Sequence, residues 1–129
     1  MNIIMVMVGG FFGAILRYML GEWLVITNGF PIGTLTVNLI GCFLLGWTLT
    51  SSALTKKWNP KLILFLGTGF IGSFTTFSTF TVEVIHLLEK KMYVYAALYI
   101  FLSNFVGILL AFAGYKIGHV RTRKRGGVA

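Results

Sequence analysis

The stretch LILFLGTGFIGSFTTFSTFTVEVI, residues 62–85, decides how the chain must be read. It is long and apolar enough to cross a bilayer, because about 20 apolar residues span a hydrocarbon core of roughly 30 Å. Yet its middle, GSFTTFSTF at residues 72–80, interleaves five hydroxyl side chains with Phe74, Phe77 and Phe80. Polar groups in lipid cost free energy unless each is hydrogen-bonded or faces a water-filled path. Gly67, Gly69 and Gly72, with the serines and threonines that follow, give poor helix propensity, so regular helical bonding is predicted to fail in mid-span. A broken backbone at that depth is tolerated only where it is buried or lines a cavity, and its freed carbonyls can then coordinate a cation. Hydroxyl donors beside the electropositive edges of phenylalanine rings suit an anion that wants many weak donors and no strong trap.

The rest of the chain fits a lipid solvent. Of its 129 residues, 57% are hydrophobic and only 11% charged, with a mean hydropathy of +0.87, outside the range of an ordinary soluble domain. Four spans are predicted, at residues 3–19, 33–54, 62–85 and 93–118. All four are helices, since a lipid-exposed sheet edge is forbidden and four strands are too few for a closed barrel. The expected architecture is one all-α integral membrane domain over residues 1–129, its third helix broken at mid-membrane, with a short basic tail at about 119–129. The first apolar run is read as a span and not as a secretory signal, because no Lys or Arg precedes it. Cys42, the one cysteine, is read as a small apolar filler.

The net charge of +8 suggests nucleic acid only until the charges are placed. Lys56, Lys57, Lys61, Lys116, Arg121, Arg123, Lys124 and Arg125 fall on one side of an even number of spans, and Arg17, Lys90 and Lys91 on the other. The positive-inside rule then puts both termini in the cytoplasm. Without the four charges of RTRKR the two sides are nearly balanced, and such a core could insert either way. The tail reads either as a solvated end or as a ligand for anionic lipid.

Gly9 with Gly13, Gly114 with Gly118, and Gly41 and Gly46 offer small surfaces for close helix packing, which lipid otherwise gives no hydrophobic force to drive. Polar residues mark further faces: Thr34 and Asn38 on the second span, and Tyr95, Tyr99, Ser103 and Gly107 at four-residue spacing on the fourth, with Asn104 beside them. Each could equally serve as interhelical glue. Arg17 reads as a snorkelling interfacial cation or as part of an ion path. Glu83 reads as a solvated helix-end carboxylate near Lys90, and His86 and His119 as interfacial residues. Three acids, two histidines and one cysteine, dispersed along the chain, offer no metal cluster and no nucleophile with an oriented base, so no enzyme is expected.

Three motifs together resemble the fluoride channel family known as Fluc or CrcB. GGFFGAILRY at residues 9–18 is similar to G-G-x-x-G-A-x-x-R-Y. GTLTVNLIGCFLLG at 33–46 is similar to G-T-x-x-V-N-x-x-G-x-F-x-x-G, and GFIGSFTTFSTF at 69–80 to G-x-x-G-x-x-T-T-F-S-T-F. The resemblance implies an antiparallel, dual-topology homodimer in the bacterial plasma or inner membrane, with two fluoride pores lined by both subunits and a structural sodium ion at its centre. It implies Arg17 and Asn38 at the pore entrance, Phe77 and Phe80 presenting ring edges to fluoride, Ser78 and Thr79 adding hydroxyls, and Tyr99 and Ser103 continuing a polar track. The backbone carbonyls of Gly72 and Thr75 would hold Na+. The implied role is passive fluoride export for resistance. Fluoride ion, a second copy of the chain and membrane lipid are the expected partners, with no nucleic acid. Two other readings stand beside it: a proton-coupled multidrug-type transporter, which would need an intramembrane carboxylate, and a non-transporting membrane assembly protein.

Overall fold

A computed structural model describes residues 2–24, 29–54 and 58–126, with side chains through residue 121. Four of its helical segments are long and apolar enough to cross a membrane: Asn2–Trp23, Ile32–Leu54, Pro60–Glu89 and Tyr93–Arg121. The first runs past Arg17 to Trp23 and the third past Ile85 to Glu89, longer than the apolar runs alone predict. Polar residues near a helix end cost little where they reach the interface. The basic-loop residues Lys56 and Lys57 lie outside the described residues.

Local chemistry sets the ends. Asn59 caps the third span, its Oδ1 accepting from Lys61 N–H at 2.9 Å, with Pro60 in the first helical turn, where its missing donor would have gone unused. The span stops at Glu89 in a Schellman turn. Lys91 adopts φ 58°, its N–H donates to Leu88 O at 2.9 Å, and Met92 N–H reaches back to Leu87 O at 2.9 Å. Gly29, at φ 77°, turns the chain ahead of the second span.

Neither the third nor the fourth span is a uniform α-helix. The third is α-helical at Pro60–Ile63, π-helical over Leu64–Ile71, and ends its first half with one turn at Gly72–Phe74 before a helix resumes at Ser78–Glu89. In the π segment Gly72 N–H reaches the carbonyl of Gly67, five residues back. The fourth contains a shorter π segment at Leu102–Val106. Such widened turns are uncommon in helices and concentrate at functional sites.

Packing is backbone on backbone. A Cβ on Gly9 would strike the carbonyl of Phe65, and one on Gly13 that of Phe70, so the first span lies directly against the π segment of the third. The second and fourth spans touch in the same manner, with Gly46 against Ala111 O and Gly114 against Phe43 O. A small side-chain core joins these pairs at one end, where buried Leu35, Leu87, Ala96 and Tyr99 meet Phe30, Phe80 and Val84.

Gly13→Ala and Gly114→Ala are each expected to cost about 1–3 kcal/mol by overpacking, read as a lower thermal midpoint in detergent. Gly21→Ala, whose Cβ would meet nothing within 4 Å, is expected to stay within about 0.5 kcal/mol of the parent.

Candidate functional site

The site is organised by the interruption of the third span. Thr75 is extended, at φ −78° and ψ 155°, and the chain between Phe74 and Ser78 therefore needs hydrogen-bond partners from elsewhere. Asn38 of the second span supplies them. Its Nδ2 donates to Thr76 O at 2.8 Å and its Oδ1 accepts from Thr76 N–H at 2.8 Å, so the carboxamide pairs with this residue as a neighbouring β-strand would. Gly41, one turn further on, makes room for the break, because a Cβ there would strike Thr75 Cγ2.

Threonine hydroxyls complete the local bonding. Thr75 closes the first half of the span, its N–H and Oγ1 both donating to Ile71 O, at 3.0 and 2.9 Å. Thr76 Oγ1 accepts from Thr79 N–H at 3.2 Å and donates to Thr79 Oγ1 at 3.0 Å, and it lies 3.3 Å from Ser78 Oγ. Thr76, buried and absent from the predicted site, is thus the hub of the cluster that holds Ser78 and Thr79. The Thr76-x-x-Thr79 spacing was the available signal, since a hydroxyl three residues before an amide is the geometry of a helix cap.

These bonds also redirect two amides. In a continuous helix Thr76 N–H would serve Gly72 O and Thr79 N–H would serve Thr75 O; here they go to Asn38 and to Thr76 Oγ1. Among the described residues no group of three or more His, Cys, Asp or Glu side chains stands close enough to hold a metal. Carbonyls released from helical register are hard oxygen donors, the kind an alkali cation takes.

Phe77 is 79% exposed on the outer surface, with its ring centroid 5.8 Å from that of Phe80. Phe80 is half-buried and leans on Tyr99 at 5.0 Å. Tyr99 is fully buried, and its hydroxyl donates to Glu83 Oε2 at 2.7 Å. Thr34 Oγ1 donates to the other carboxylate oxygen at 2.7 Å. Reading Glu83 as a solvated helix-end carboxylate is therefore corrected: it is half-buried and ties the second, third and fourth spans together. Its hydroxyl donors lie 49 residues before and 16 after it, beyond the reach of any local pattern.

A cavity of about 480 Å³ opens above this cluster at the end of the molecule where the first span finishes and the second begins. Thr76, Thr79 and Glu83 face it, and Arg17, Glu22 and Lys90 bring charge to its walls. Arg17 is thus brought to the hydroxyl cluster. Asn38 is not among the residues lining the cavity; it stands behind Thr76 and holds it. Ser103 lies apart, within the short π segment. Its Oγ is the one buried side-chain oxygen without a hydrogen-bond partner among the described residues. Asn104, beside it, is occupied with Ile100 O at 2.8 Å. The arrangement can admit a small anion past a guanidinium to a row of hydroxyls, with two phenylalanine rings beyond them.

Comparison with known proteins identifies relatives over nearly the whole chain. A family model described as CrcB-like protein, Camphor Resistance (CrcB), matches residues 4–115. The chain is 55% identical over 116 residues, 90% of each chain, to a protein of Oceanobacillus iheyensis named Fluoride-specific ion channel FluC. It is 45% identical to Fluoride-specific ion channel FluC 2 of Bacillus thuringiensis subsp. konkukian, covering 91% of this chain and 97% of that one. To Fluoride-specific ion channel FluC 1 of Geobacillus kaustophilus it is 41% identical over 114 residues, 88% of this chain and 94% of that one.

Replacing Asn38 by Ala would strand both the N–H and the C=O of Thr76. The expected cost is about 2–4 kcal/mol, measured as loss of thermal stability in detergent. Asn38→Asp should recover little, because a carboxylate cannot donate to Thr76 O.

Proposed function

The chain belongs to the CrcB family, and from that premise we propose how its residues would conduct the ion that its relatives' names specify. It is a fluoride-specific ion channel, a multi-pass bacterial membrane protein and not an enzyme. The observation that carries this is the 55% identity over nine tenths of the chain to a fluoride-specific channel. Membership of this family leaves the drug-exporter and assembly readings without support.

Fluoride is small and strongly hydrated, so a selective path must replace its water with donors yet hold it loosely enough to let it go. Arg17 would draw the anion into the cavity by its field, and Thr79 and Ser78 would offer hydroxyl donors in place of water. Phe80 and Phe77 would then present ring edges, which carry positive partial charge. Ser103, with its unpartnered hydroxyl, would add a donor further along. Tyr99 supports the path from behind: its hydroxyl is committed to Glu83, and its ring backs Phe80. Asn38 acts as a positioning residue, since its amide is spent on the backbone of Thr76.

The functional unit is an antiparallel homodimer with two pores, each lined by both subunits. A phenylalanine as exposed as Phe77 at the site itself is well suited to face a second copy. The carbonyls of Gly72 and Thr75, freed from helical register, would hold Na+ at the centre of the dimer. When bound, Na+ supplies a fixed positive charge that holds the carbonyl dipoles of the broken helices together. Conduction is passive: HF enters the cell neutral, ionises in the less acidic cytoplasm, and F− leaves down its gradient.

Liposomes loaded with fluoride and containing the purified protein should release it rapidly, read with a fluoride electrode, while a chloride-loaded set releases nothing beyond protein-free vesicles. Phe80→Met should slow fluoride release at least about tenfold if ring edges line the path. Unchanged release would remove Phe80 from it. Sodium is tested separately, by purifying and assaying the protein in N-methylglucamine salts. Lower thermal stability and slower efflux, both restored by adding Na+, are expected; indifference to Na+ would discard the ion.

A further inference from the structure

All three acidic residues, Glu22, Glu83 and Glu89, lie at the cavity end of the molecule, where Arg17, Lys90 and Lys91 offset them. Among the described residues the opposite end carries Lys61, Lys116 and Arg121 and no acid, and Arg123, Lys124 and Arg125 follow Arg121 in the sequence. That end also carries an aromatic layer. Trp47 and Trp58 meet edge to face with ring centroids 6.0 Å apart, and Tyr115 stacks on Phe112 at 6.0 Å. Lys116 Nζ sits 4.9 Å from the Phe112 ring centroid, a cation–π contact within this aromatic layer.

Tryptophan and tyrosine settle at the level of the lipid headgroups, so Tyr115 marks the depth. The helix does not stop there. It continues through Arg121 to Gly126, a further length of about 16 Å at 1.5 Å per residue, against a headgroup layer of roughly 5–8 Å on each side. Lys116 and the exposed Arg121 thus fall within or at the edge of the phosphate layer, and Arg123, Lys124 and Arg125 follow on the same helix just beyond it.

We propose that this end is a docking surface for anionic phospholipid, with the aromatic layer setting depth and the basic helical extension taking the phosphate groups. The inference rests on the membrane-spanning reading and not on the identity of the permeating ion. Charge complementarity selects the occupant, since cations without competing carboxylates at headgroup depth meet the negative surface of an anionic leaflet.

The experiment uses the full chain reconstituted in phosphatidylcholine with trace spin-labelled phosphatidylglycerol or spin-labelled phosphatidylcholine, comparing the motionally restricted fractions. Phosphatidylglycerol should be preferred by about fivefold or more at 20 mM NaCl and approach parity at 500 mM as the charges are screened. The combined variant Arg121→Gln, Arg123→Gln, Lys124→Gln and Arg125→Gln should lose most of that preference while releasing fluoride from phosphatidylcholine liposomes at the parent rate, which shows that it is folded. Should that variant not fold, the salt series on the parent decides alone. Equal association of the two lipids in low salt, or a preference that the folded variant keeps, would overturn the proposal. So would displacement of the labelled lipid by inorganic phosphate at constant ionic strength, which would mean a small-anion site instead. Fluoride release read on the same vesicles keeps a failure here separate from a failure of the channel.

Discussion

The paired hydrogen bonds between the Asn38 carboxamide and the backbone of Thr76 are what the third span depends on. A helix broken inside a bilayer exposes amides and carbonyls that no water can reach, at several kcal/mol for each one left alone. Asn38 answers both groups of the most buried residue in the break with one side chain at 2.8 Å on either side. The consequences run outward: with Thr76 fixed, its hydroxyl is free to cap the helix that starts at Ser78, and that helix carries Phe80 to Tyr99 and Glu83 to its two hydroxyl donors.

Stability of this kind owes little to a hydrophobic core. Most large apolar side chains are exposed on the molecular surface, because lipid solvates them as well as protein would, and burial gains little. What holds the spans is close backbone approach at Gly9, Gly13, Gly46 and Gly114, dispersion contact in place of hydrophobic force, and a few hydrogen bonds between spans. The same logic explains why polar residues are so sparingly used. Among those found in the spans, Thr50 closes a local turn on Gly46 O, and Asn38 and Thr34 join one span to another.

Much of this was legible in the sequence. Span number and approximate position followed from apolar length, and the weak point in the third span from its glycines and hydroxyls. The three motifs gave the family. What escaped was whatever depends on a partner far along the chain. The resemblance puts Asn38 at the pore entrance, but its engagement with Thr76, 38 residues away, exists only once the second and third spans are side by side. Glu83 looked solvated for the same reason. The π segments left no local trace either, since leucine, phenylalanine and glycine at 64–71 are equally compatible with an α-helix, and it is the approach of Gly9 and Gly13 to Phe65 and Phe70 that accompanies the wider turns.

Those wider turns make the two halves of the third span unequal in how they would absorb a change of chain length. A π segment holds more residue per turn than an α-helix, so Leu64–Ile71 stores slack: losing one residue there could be met by tightening to α-helical winding, leaving the residues that follow in place. Ser78–Glu89 has no such reserve. Removing one residue between Ser78 and Glu83 would turn everything beyond by about 100° and swing Glu83 away from Thr34 and Tyr99. Over generations, single-residue deletions should therefore be borne better in Leu64–Ile71 than between Ser78 and Glu83.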